Sequence, residues 1–412
     1  MRDPQQVLNA LCEHSKDSDY RYERLYRILF NEEIFFIAYQ RKYANQGNMT
    51  PGSDGRTIDR MSIDRIQKIV ASLRDESYQP HPARRVYIPK KNGKKRPLGI
   101  PSFEDKLVQE VVHMILEAIY EEHFEDTSHG FRPNRSCHTA LRDIKVTFKG
   151  TRWFIEGDIK GFFDNIDHNI MIDILRERIS DERFLRLIRK FLNAGYMEKW
   201  TYNNTYSGTP QGGIISPILA NIYLDKFDKY IKEYAENFNK GKGRRLTCEY
   251  QRNRNKRNAL RWKLEDETDE NRKAELKSKI ARLRKQMLDI PATRDMDDTF
   301  KRLKYVRYAD DFLIGMIGSK EECKIVKADI TTFMREKLKL EISQEKTLIT
   351  NAQEPAKYLG YEIMARRSMD HIRTRSGLQR RPWLGTIVLN VSYETVLKRL
   401  QSYDAVRITQ VN

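Results

Sequence analysis

The stretch KYVRYADDFLIG, residues 304–315, sets two adjacent carboxylates between apolar and aromatic residues. The flanking runs are typical of two buried strands, and Asp310 and Asp311 would lie at the turn that joins them. A pair of acids in a turn is most often only the solvated tip of a hairpin. The stretch therefore predicts a β-hairpin, and it indicates a functional site only if a partner carboxylate comes from elsewhere in the chain.

A second stretch, RWFIEGDIKGFFDNIDH (residues 152–168), supplies a candidate partner. The apolar run from Trp153 to Ile155 indicates a strand that ends at Asp158. Carboxylates at the ends of neighbouring strands can share divalent cations, and Mg²⁺ prefers a few carboxylates completed by water and substrate phosphates. The two stretches together predict a site for two Mg²⁺ ions and for two-metal phosphoryl or nucleotidyl transfer.

Length and charge limit the class of protein. The chain has 412 residues, more than one hydrophobic core usually supports, so we expect two or three lobes. Lys and Arg number 76 against 58 Asp and Glu, a formal net charge of +18, which favours a polyanionic partner such as nucleic acid or an anionic membrane surface. Solubility alone is the alternative explanation of this charge.

Membrane spans, disulfides and zinc are not indicated. No run of about 18 apolar residues occurs, so we expect no segment that spans a bilayer. With nucleic acid as the preferred polyanion, we expect no membrane partner. The cysteines, Cys12, Cys137, Cys248 and Cys323, are widely scattered and show no zinc spacing or disulfide framework. The composition fits a reducing, intracellular setting.

Two further segments have recognisable local patterns. Residues 84–101 carry Asn92-Gly93 between strand-like runs, which predicts a β-hairpin with a basic tip, and Ser102 with Asp105 resembles a capping box before a buried helix. The polar segment 237–299 keeps helical spacing in part and is predicted to be an inserted, exposed helical hairpin. The acids Asp295, Asp297 and Asp298 in that segment have no apolar framing, so we interpret them as a solvated loop.

Several motifs, taken in order, resemble those of a known family. The chain is similar to group II intron-encoded reverse transcriptases, also called maturases, from about Leu25 to Ile363, and its charged insertion resembles that of bacterial lactococcal-type members. The matching catalytic blocks are FIEGDIKGFFDNIDH, GTPQGGIISPILANIYLDKFD and YVRYADDFLIG, with RPLGIPSFEDKLVQEVV and SHGFRPNRSCHTAL upstream and ISQEKTLIT and AKYLGYEI downstream.

This resemblance implies the fold. We expect an α+β right-hand polymerase with fingers and a palm, an antiparallel palm sheet with helices, and no thumb. The implied segments are 1–60 (N-terminal helical extension), 61–150 (fingers), 151–235 (palm with a finger portion), 236–300 (charged helical insertion), 301–365 (palm) and 366–412 (basic linker and start of a thumb).

The resemblance also implies the catalytic residues. Asp158, Asp310 and Asp311 would bind the Mg²⁺ ions together with the backbone carbonyl of Ile159. Lys346 matches a lysine proposed as the general acid for the leaving pyrophosphate, although a surface lysine is the alternative.

Further matches concern the nucleotide, the primer and the template. The residues implied to contact the nucleotide are Lys90, Arg96, Phe163 and Gln211, and those implied to contact primer or template are Tyr308, Arg132 and Gly212. Phe163 would exclude a 2′-hydroxyl and so favour deoxynucleotides, whereas Phe162 or Phe163 could each be an ordinary core aromatic. A purely structural turn is the alternative for Gly212.

The implied function is that of an RNA-directed DNA polymerase that copies group II intron RNA from a DNA primer with dNTPs and supports splicing and retrohoming. An intron RNA-binding splicing cofactor without catalysis is the alternative, and an RNA-dependent RNA polymerase is disfavoured by Phe163 and by the YADD sequence. We expect a cytoplasmic, bacterial protein associated with the nucleoid or with a ribonucleoprotein, and a homodimer is compatible with the sequence.

Overall fold

A computed structural model describes residues 3–44, 47–59, 61–89, 95–199, 201–205, 207–209, 212–294, 296–366, 372–373, 377, 379–380 and 385–405. The elements up to residue 203 are α1 (Pro4–Ser15), a 3-10 turn (Tyr26–Phe30), α2 (Glu32–Tyr43), α3 (Ile63–Arg74), β1 (Ala83–Pro89), β2 (Lys95–Ile100), α4 (Phe103–Tyr120), a second 3-10 turn (Glu121–His123), α5 (Cys137–Thr147), β3 (Trp153–Asp158), α6 (Phe162–Asn165), α7 (His168–Arg176), α8 (Glu182–Asn193), β4 (Tyr196–Glu198) and β5 (Thr201–Asn203).

The remaining elements begin with a long helix. They are α9 (Ser216–Phe238), α10 (Cys248–Asp266), α11 (Glu270–Asp289), β6 (Arg302–Tyr308), β7 (Asp311–Ile317), α12 (Lys320–Lys337), β8 (Ile349–Asn351), β9 (Ala356–Tyr358), β10 (Tyr361–Arg366), β11 (Ile372–Arg373), β12 (Gln379–Arg380), β13 (Thr386–Val391) and α13 (Tyr393–Ser402). Within the described ranges, no helix is long and apolar enough to cross a bilayer.

The central sheet carries the two stretches singled out in the sequence. Its strand order is β6-β7-β3-β8, and each neighbouring pair is antiparallel. Strand β7 is buried along nearly its whole length because helices cover the sheet, and α9 and α12 both contribute to the same hydrophobic core. The predicted hairpin of residues 304–315 is thereby confirmed, and it lies in the middle of the fold.

The predicted hairpin of residues 84–101 is also present. Strands β1 and β2 pair antiparallel from Arg84 with Ile100 to Pro89 with Lys95, and they belong to a four-stranded sheet of order β2-β1-β4-β5. The turn that contains Asn92-Gly93 lies outside the described residues.

The N-cap of α4 differs from the predicted capping box. Ser102 accepts a hydrogen bond from the backbone N of Asp105 at 3.1 Å, as predicted. The Asp105 carboxylate, however, accepts from the Tyr78 hydroxyl and from the backbone N of His81. Only half of the box forms, because Asp105 instead connects α4 to the segment that precedes β1.

The charged segment folds as predicted into two exposed helices, α10 and α11, joined by a short loop. Glu275 and Lys279 form the predicted ion pair, with 2.6 Å between Oε1 and Nζ. Asp297 accepts from the backbone N of Arg245 at 2.6 Å and from Thr299, so this acid closes a loop at the base of the hairpin. These backbone hydrogen bonds lower the pKa of Asp297 to about 2.

Candidate active site

The central sheet brings the two acidic stretches together. Asp158, the last residue of β3, lies directly opposite Asp311, the first residue of β7, and Asp311 also pairs with Tyr308 at the end of β6. Ala309 adopts a left-handed conformation with φ of 56°, which reverses the chain between the strands and places Asp310 at the turn. Residues far apart in the sequence therefore form one cluster of three carboxylates.

The three carboxylates repel one another in a partly desolvated environment. Burial, followed by the charges of Asp310 and Asp158, raises the pKa of Asp311 to about 7. Burial also raises the pKa of Asp310, and the charge of Asp158 adds to this effect, while Arg96 and Lys346 oppose it. Carboxyl pKa values that are raised by burial and by neighbouring like charges are typical of functional sites.

Lys346 reaches this cluster from the loop before β8. Its Nζ lies 2.9 and 3.0 Å from the two carboxylate oxygens of Asp158. That hydrogen bond raises the pKa of Lys346. The loop is fixed to β3 because the backbone N of Ser343 donates to the carbonyl of Asp158 at 2.9 Å, and Ile159 forms a bridge with Ile342.

Arg307 supports the turn from inside the protein and was not identified in the sequence. Its guanidinium is fully buried and donates to Asp228 on α9, to the carbonyl of Ala309 at 2.9 Å and to Ser128 at 2.7 Å. The sequence does show Arg307 between the apolar and aromatic residues Val306 and Tyr308 of a predicted buried strand, which is a signal of a buried partner. The partner itself lies 79 positions away.

The segment before α5 braces the same turn. The backbone of Arg307 donates to Thr127 at 2.8 Å and accepts from His129 at 2.9 Å. A Cβ at Gly130 would lie 2.3 Å from the backbone N of Ala309, so only glycine allows this close approach. The turn is therefore held both by the buried arginine and by direct backbone packing.

Phe162 and Phe163 both belong to the hydrophobic core, and Phe163 also lines a cavity. The cavity has a volume of about 400 Å³ and is also lined by Arg85, Tyr196 and the backbone around Gly208. Phe163 packs edge-on against Phe162 and Phe131, and its carbonyl accepts from the backbone N of Thr209 at 2.7 Å. These contacts hold Phe163 at the cavity wall.

The other expected nucleotide contacts are only partly described. Arg96 lies on β2, close enough to oppose the pKa shift of Asp310. Gly212 has φ of 111°, and a Cβ there would lie 2.5 Å from the carbonyl of Gly99 on the same strand. Lys90 and Gln211 lie outside the described residues. The Gly212 loop therefore packs on strand β2, which also carries Arg96.

The structure does not favour the expected template contact of Arg132. Its side chain is only 5% exposed. The guanidinium donates to the Glu121 side chain and carbonyl and to the carbonyls of Glu125 and Ser128. Every nitrogen of the guanidinium is used within the protein, so we interpret Arg132 as a structural residue that orders the segment before Gly130.

The carboxylate cluster does not form a complete metal site by itself. In the part of the chain that the structure describes, no group of three or more His, Cys, Asp or Glu side chains could hold a metal ion. Mg²⁺ needs only one or two carboxylates when substrate phosphates and water complete its octahedron. A cation at this place would relieve both the burial and the mutual repulsion that raise the pKa of Asp311.

Comparison with known proteins agrees with this geometry. The family described as "Reverse transcriptase (RNA-dependent DNA polymerase)" matches residues 88–249 and 280–363, which include β3, the β6–β7 turn and Lys346. The chain therefore belongs to the reverse transcriptase family and, within it, to the group II intron-encoded reverse transcriptases and maturases.

Individual relatives support this assignment. The group II intron-encoded protein LtrA of Lactococcus lactis is 46% identical over 401 residues, covering 97% of this chain and 66% of LtrA. An uncharacterized 91 kDa protein in the cob intron of Schizosaccharomyces pombe is 41% identical, over 96% of this chain and 48% of that protein. Protein YkfC of Escherichia coli is 34% identical, over 85% of this chain and 86% of YkfC. The chain thus spans just under two thirds of LtrA.

Proposed function

We propose that this chain is an RNA-directed DNA polymerase that extends a DNA primer on group II intron RNA with dNTPs. The observation that carries the proposal is the cross-strand pairing of Asp158 with Asp311 beside Asp310. Mg²⁺, bound by these carboxylates and by the carbonyl of Ile159, would activate the primer hydroxyl and balance the charge of the leaving pyrophosphate. We take residues 61–150 as fingers and 151–235 with 301–365 as palm.

The remaining side chains orient the substrates. Arg96, with Lys90, would hold the triphosphate through charge-assisted hydrogen bonds, and Phe163 would exclude the ribose 2′-hydroxyl. Tyr308, which pairs with Asp311 at the end of β6, would support the primer end. Lys346 lies at the carboxylates, where its ammonium could donate a proton to the leaving pyrophosphate.

Primer extension with an Asp310→Asn variant tests this proposal. We expect extension with Mg²⁺ to fall by about a thousandfold or more, because charge stabilisation by a bound metal is worth several kcal/mol. RNA binding should stay within about twofold, because phosphate contacts elsewhere dominate affinity. Asp173→Asn, at an acid of α7 that is 71% exposed, is the control and should behave as the unmodified protein. Extension that persists in Asp310→Asn would refute the assignment of the site.

A second role, stabilisation of folded intron RNA during splicing, is favoured by the net charge of +18. A splicing cofactor should bind its intron RNA more tightly than an unrelated structured RNA of the same length at the same salt concentration. Equal affinity for the two RNAs would contradict this role and would leave the polymerase proposal untouched.

A further inference from the structure

The α10–α11 hairpin projects from a firmly anchored base. At this base the backbone N of Thr247 donates to Ala292 at 3.1 Å, and that of Arg294 donates to Arg245 at 2.9 Å. Arg302, the first residue of β6, donates to the carbonyls of Lys240 and Gly241. The hairpin therefore joins the palm at the end of β6 opposite the catalytic turn, about 20 Å from it along a strand that rises about 3.3 Å per residue.

Helix α10 has an unusual distribution of charge. Between Tyr250 and Leu264 it has no acid, and its cations are Arg252, Arg254, Lys256, Arg257, Arg261 and Lys263. None of these cations forms an ion pair with a carboxylate among the described residues. Helix α11, in contrast, pairs Lys273 with Glu270 and Lys279 with Glu275. Like charges one turn apart destabilise a helix, so α10 is suited to a polyanionic partner.

The exposed face of α10 combines these cations with an aromatic ring. Arg252, Lys256 and Lys263 are exposed and, at spacings of four and seven residues, lie on one face of the helix. Trp262, beside Lys263, is 68% exposed. Leu260 and Leu264, on a neighbouring side of the helix, are partly covered.

The composition of this face distinguishes between polyanions. A helix that lies on an anionic membrane needs a continuous apolar face, whereas Trp262 is the large apolar side chain that α10 exposes in the described structure. An exposed flat ring on the same helix as a row of cations suits an unpaired base next to phosphates, because bases stack on aromatic side chains and phosphates attract Lys and Arg. RNA with unpaired bases fits both features.

We propose that the exposed face of α10 is a binding site for structured RNA. Trp262 stacks on an unpaired base, and Arg252, Lys256 and Lys263 contact the flanking phosphates. The site deepens the proposed function, on which it rests, because it would hold the RNA of this polymerase at a point remote from the reacting end. RNA bound there would not compete with primer and nucleotide at the carboxylates.

The first test concerns the cations. We expect the triple variant R252Q/K256Q/K263Q to bind an RNA stem-loop about tenfold more weakly than the unmodified protein. The negative slope of log K against log salt should become shallower by about 2 to 3, close to one per lost phosphate contact. The control, K320Q/K324Q/R335Q on α12, removes the same net charge and should retain the affinity. An equal loss in the control would show that bulk charge alone is responsible and would overturn the proposal.

The second test concerns the tryptophan. Trp262→Ala should weaken binding of the stem-loop about fivefold or more, with no effect on a fully paired duplex, because only unpaired bases can stack on the ring. No effect on either RNA, or an equal effect on both, would refute the stacking site. Binding to phosphatidylserine vesicles is the alternative outcome. If the unmodified protein binds these anionic vesicles and the triple variant loses this binding to the same extent as its RNA binding, the face binds a membrane surface and the proposal is overturned.

Primer extension on a short template separates this inference from the proposed function. The α10 variants should extend a short primed RNA at the unmodified rate, because the hairpin lies far from the carboxylates. If the unmodified protein does not extend primers at all, the polymerase proposal fails, while the comparison of RNA affinities still decides the role of α10.

Discussion

The ammonium of Lys346 bridges both carboxylate oxygens of Asp158, at 2.9 and 3.0 Å. The two residues come from different parts of the chain, and the hydrogen bond from Ser343 N to the carbonyl of Asp158 fixes their separation. Lys346 thus has two chemically distinct roles open to it. It can orient Asp158, or it can donate a proton to the leaving pyrophosphate.

Substitution of Lys346 separates these roles. Lys346→Gln should lower kcat by about 10²- to 10⁴-fold, the usual contribution of general acid catalysis, with a much smaller change in KM for dNTPs. Lys346→Arg restores the ion pair but is a poor proton donor, because arginine stays protonated. If Lys346→Arg recovers kcat, Lys346 acts only by orienting Asp158. If Lys346→Arg stays inactive, and the decrease of kcat at high pH disappears from its pH profile, Lys346 acts as a proton donor. Lys160→Gln, at an exposed lysine paired with Glu341, is the control and should leave kcat unchanged.

The position of Phe163 at the cavity wall predicts its effect on sugar selection. Phe163→Val should reduce discrimination against rNTPs by about 10- to 200-fold, the range expected when a pocket gains room for a small group. The measurement is kcat/KM for a matched dNTP and rNTP. Phe162→Leu changes the neighbouring core ring and should lower Tm without changing this ratio. Unchanged discrimination in Phe163→Val would contradict the steric role.

The sequence was sufficient for features that depend on local pattern. The apolar and aromatic runs on either side of Asp310 and Asp311 predicted the β6–β7 hairpin, the Asn-Gly pair predicted the β1–β2 hairpin, and helical spacing predicted the α10–α11 hairpin. The two acidic stretches were expected to come together at the ends of neighbouring strands, and the family resemblance added Lys346 to the predicted site.

Features that depend on long-range packing were missed. Arg132 was expected to contact nucleic acid, yet its guanidinium donates to the Glu121 side chain and to backbone carbonyls. No local sequence pattern links Arg132 to these acceptors. Asp105 was expected to complete a capping box, yet it bonds Tyr78 and His81. Arg307 drew no attention, because its partner Asp228 becomes a neighbour only when α9 packs on the sheet.

The buried pair of Arg307 and Asp228 predicts a large loss of stability when only one partner is removed. Arg307→Met should reduce the free energy of unfolding by about 3–5 kcal/mol, because Asp228 would remain as an unpaired buried charge. The double variant Arg307→Met/Asp228→Leu should be less destabilised than the sum of the two single variants, as measured by urea unfolding. Arg335→Met breaks an exposed ion pair with Glu336 and should cost less than about 1 kcal/mol. Additive effects at Arg307 and Asp228 would contradict the coupling.

His81 and Asp105 predict a dependence of stability on pH. The His81 Nδ1 lies 3.5 Å from the buried Asp105 carboxylate. The hydrogen bond to this carboxylate raises the pKa of His81, whereas partial burial opposes the increase. The negative charges of Asp105, Asp54 and Glu104 raise the pKa further. Since the folded pKa exceeds that of the unfolded chain, about 6.5, the stabilisation is fully present below that value and is lost as the pH rises through the folded pKa.

His81→Gln should therefore lower Tm most at about pH 6 and progressively less toward about pH 8.5, where the unmodified histidine is neutral. His138→Gln, at an exposed histidine, is the matched control. The difference in Tm between this variant and the unmodified protein should stay constant over the same pH range. A constant difference in Tm for His81→Gln across the range would show that its contact with Asp105 is a neutral hydrogen bond. Asp105 also accepts a hydrogen bond from Tyr78. The part of the Tm difference that varies with pH therefore reports the charge of His81, separately from the packing around Asp105.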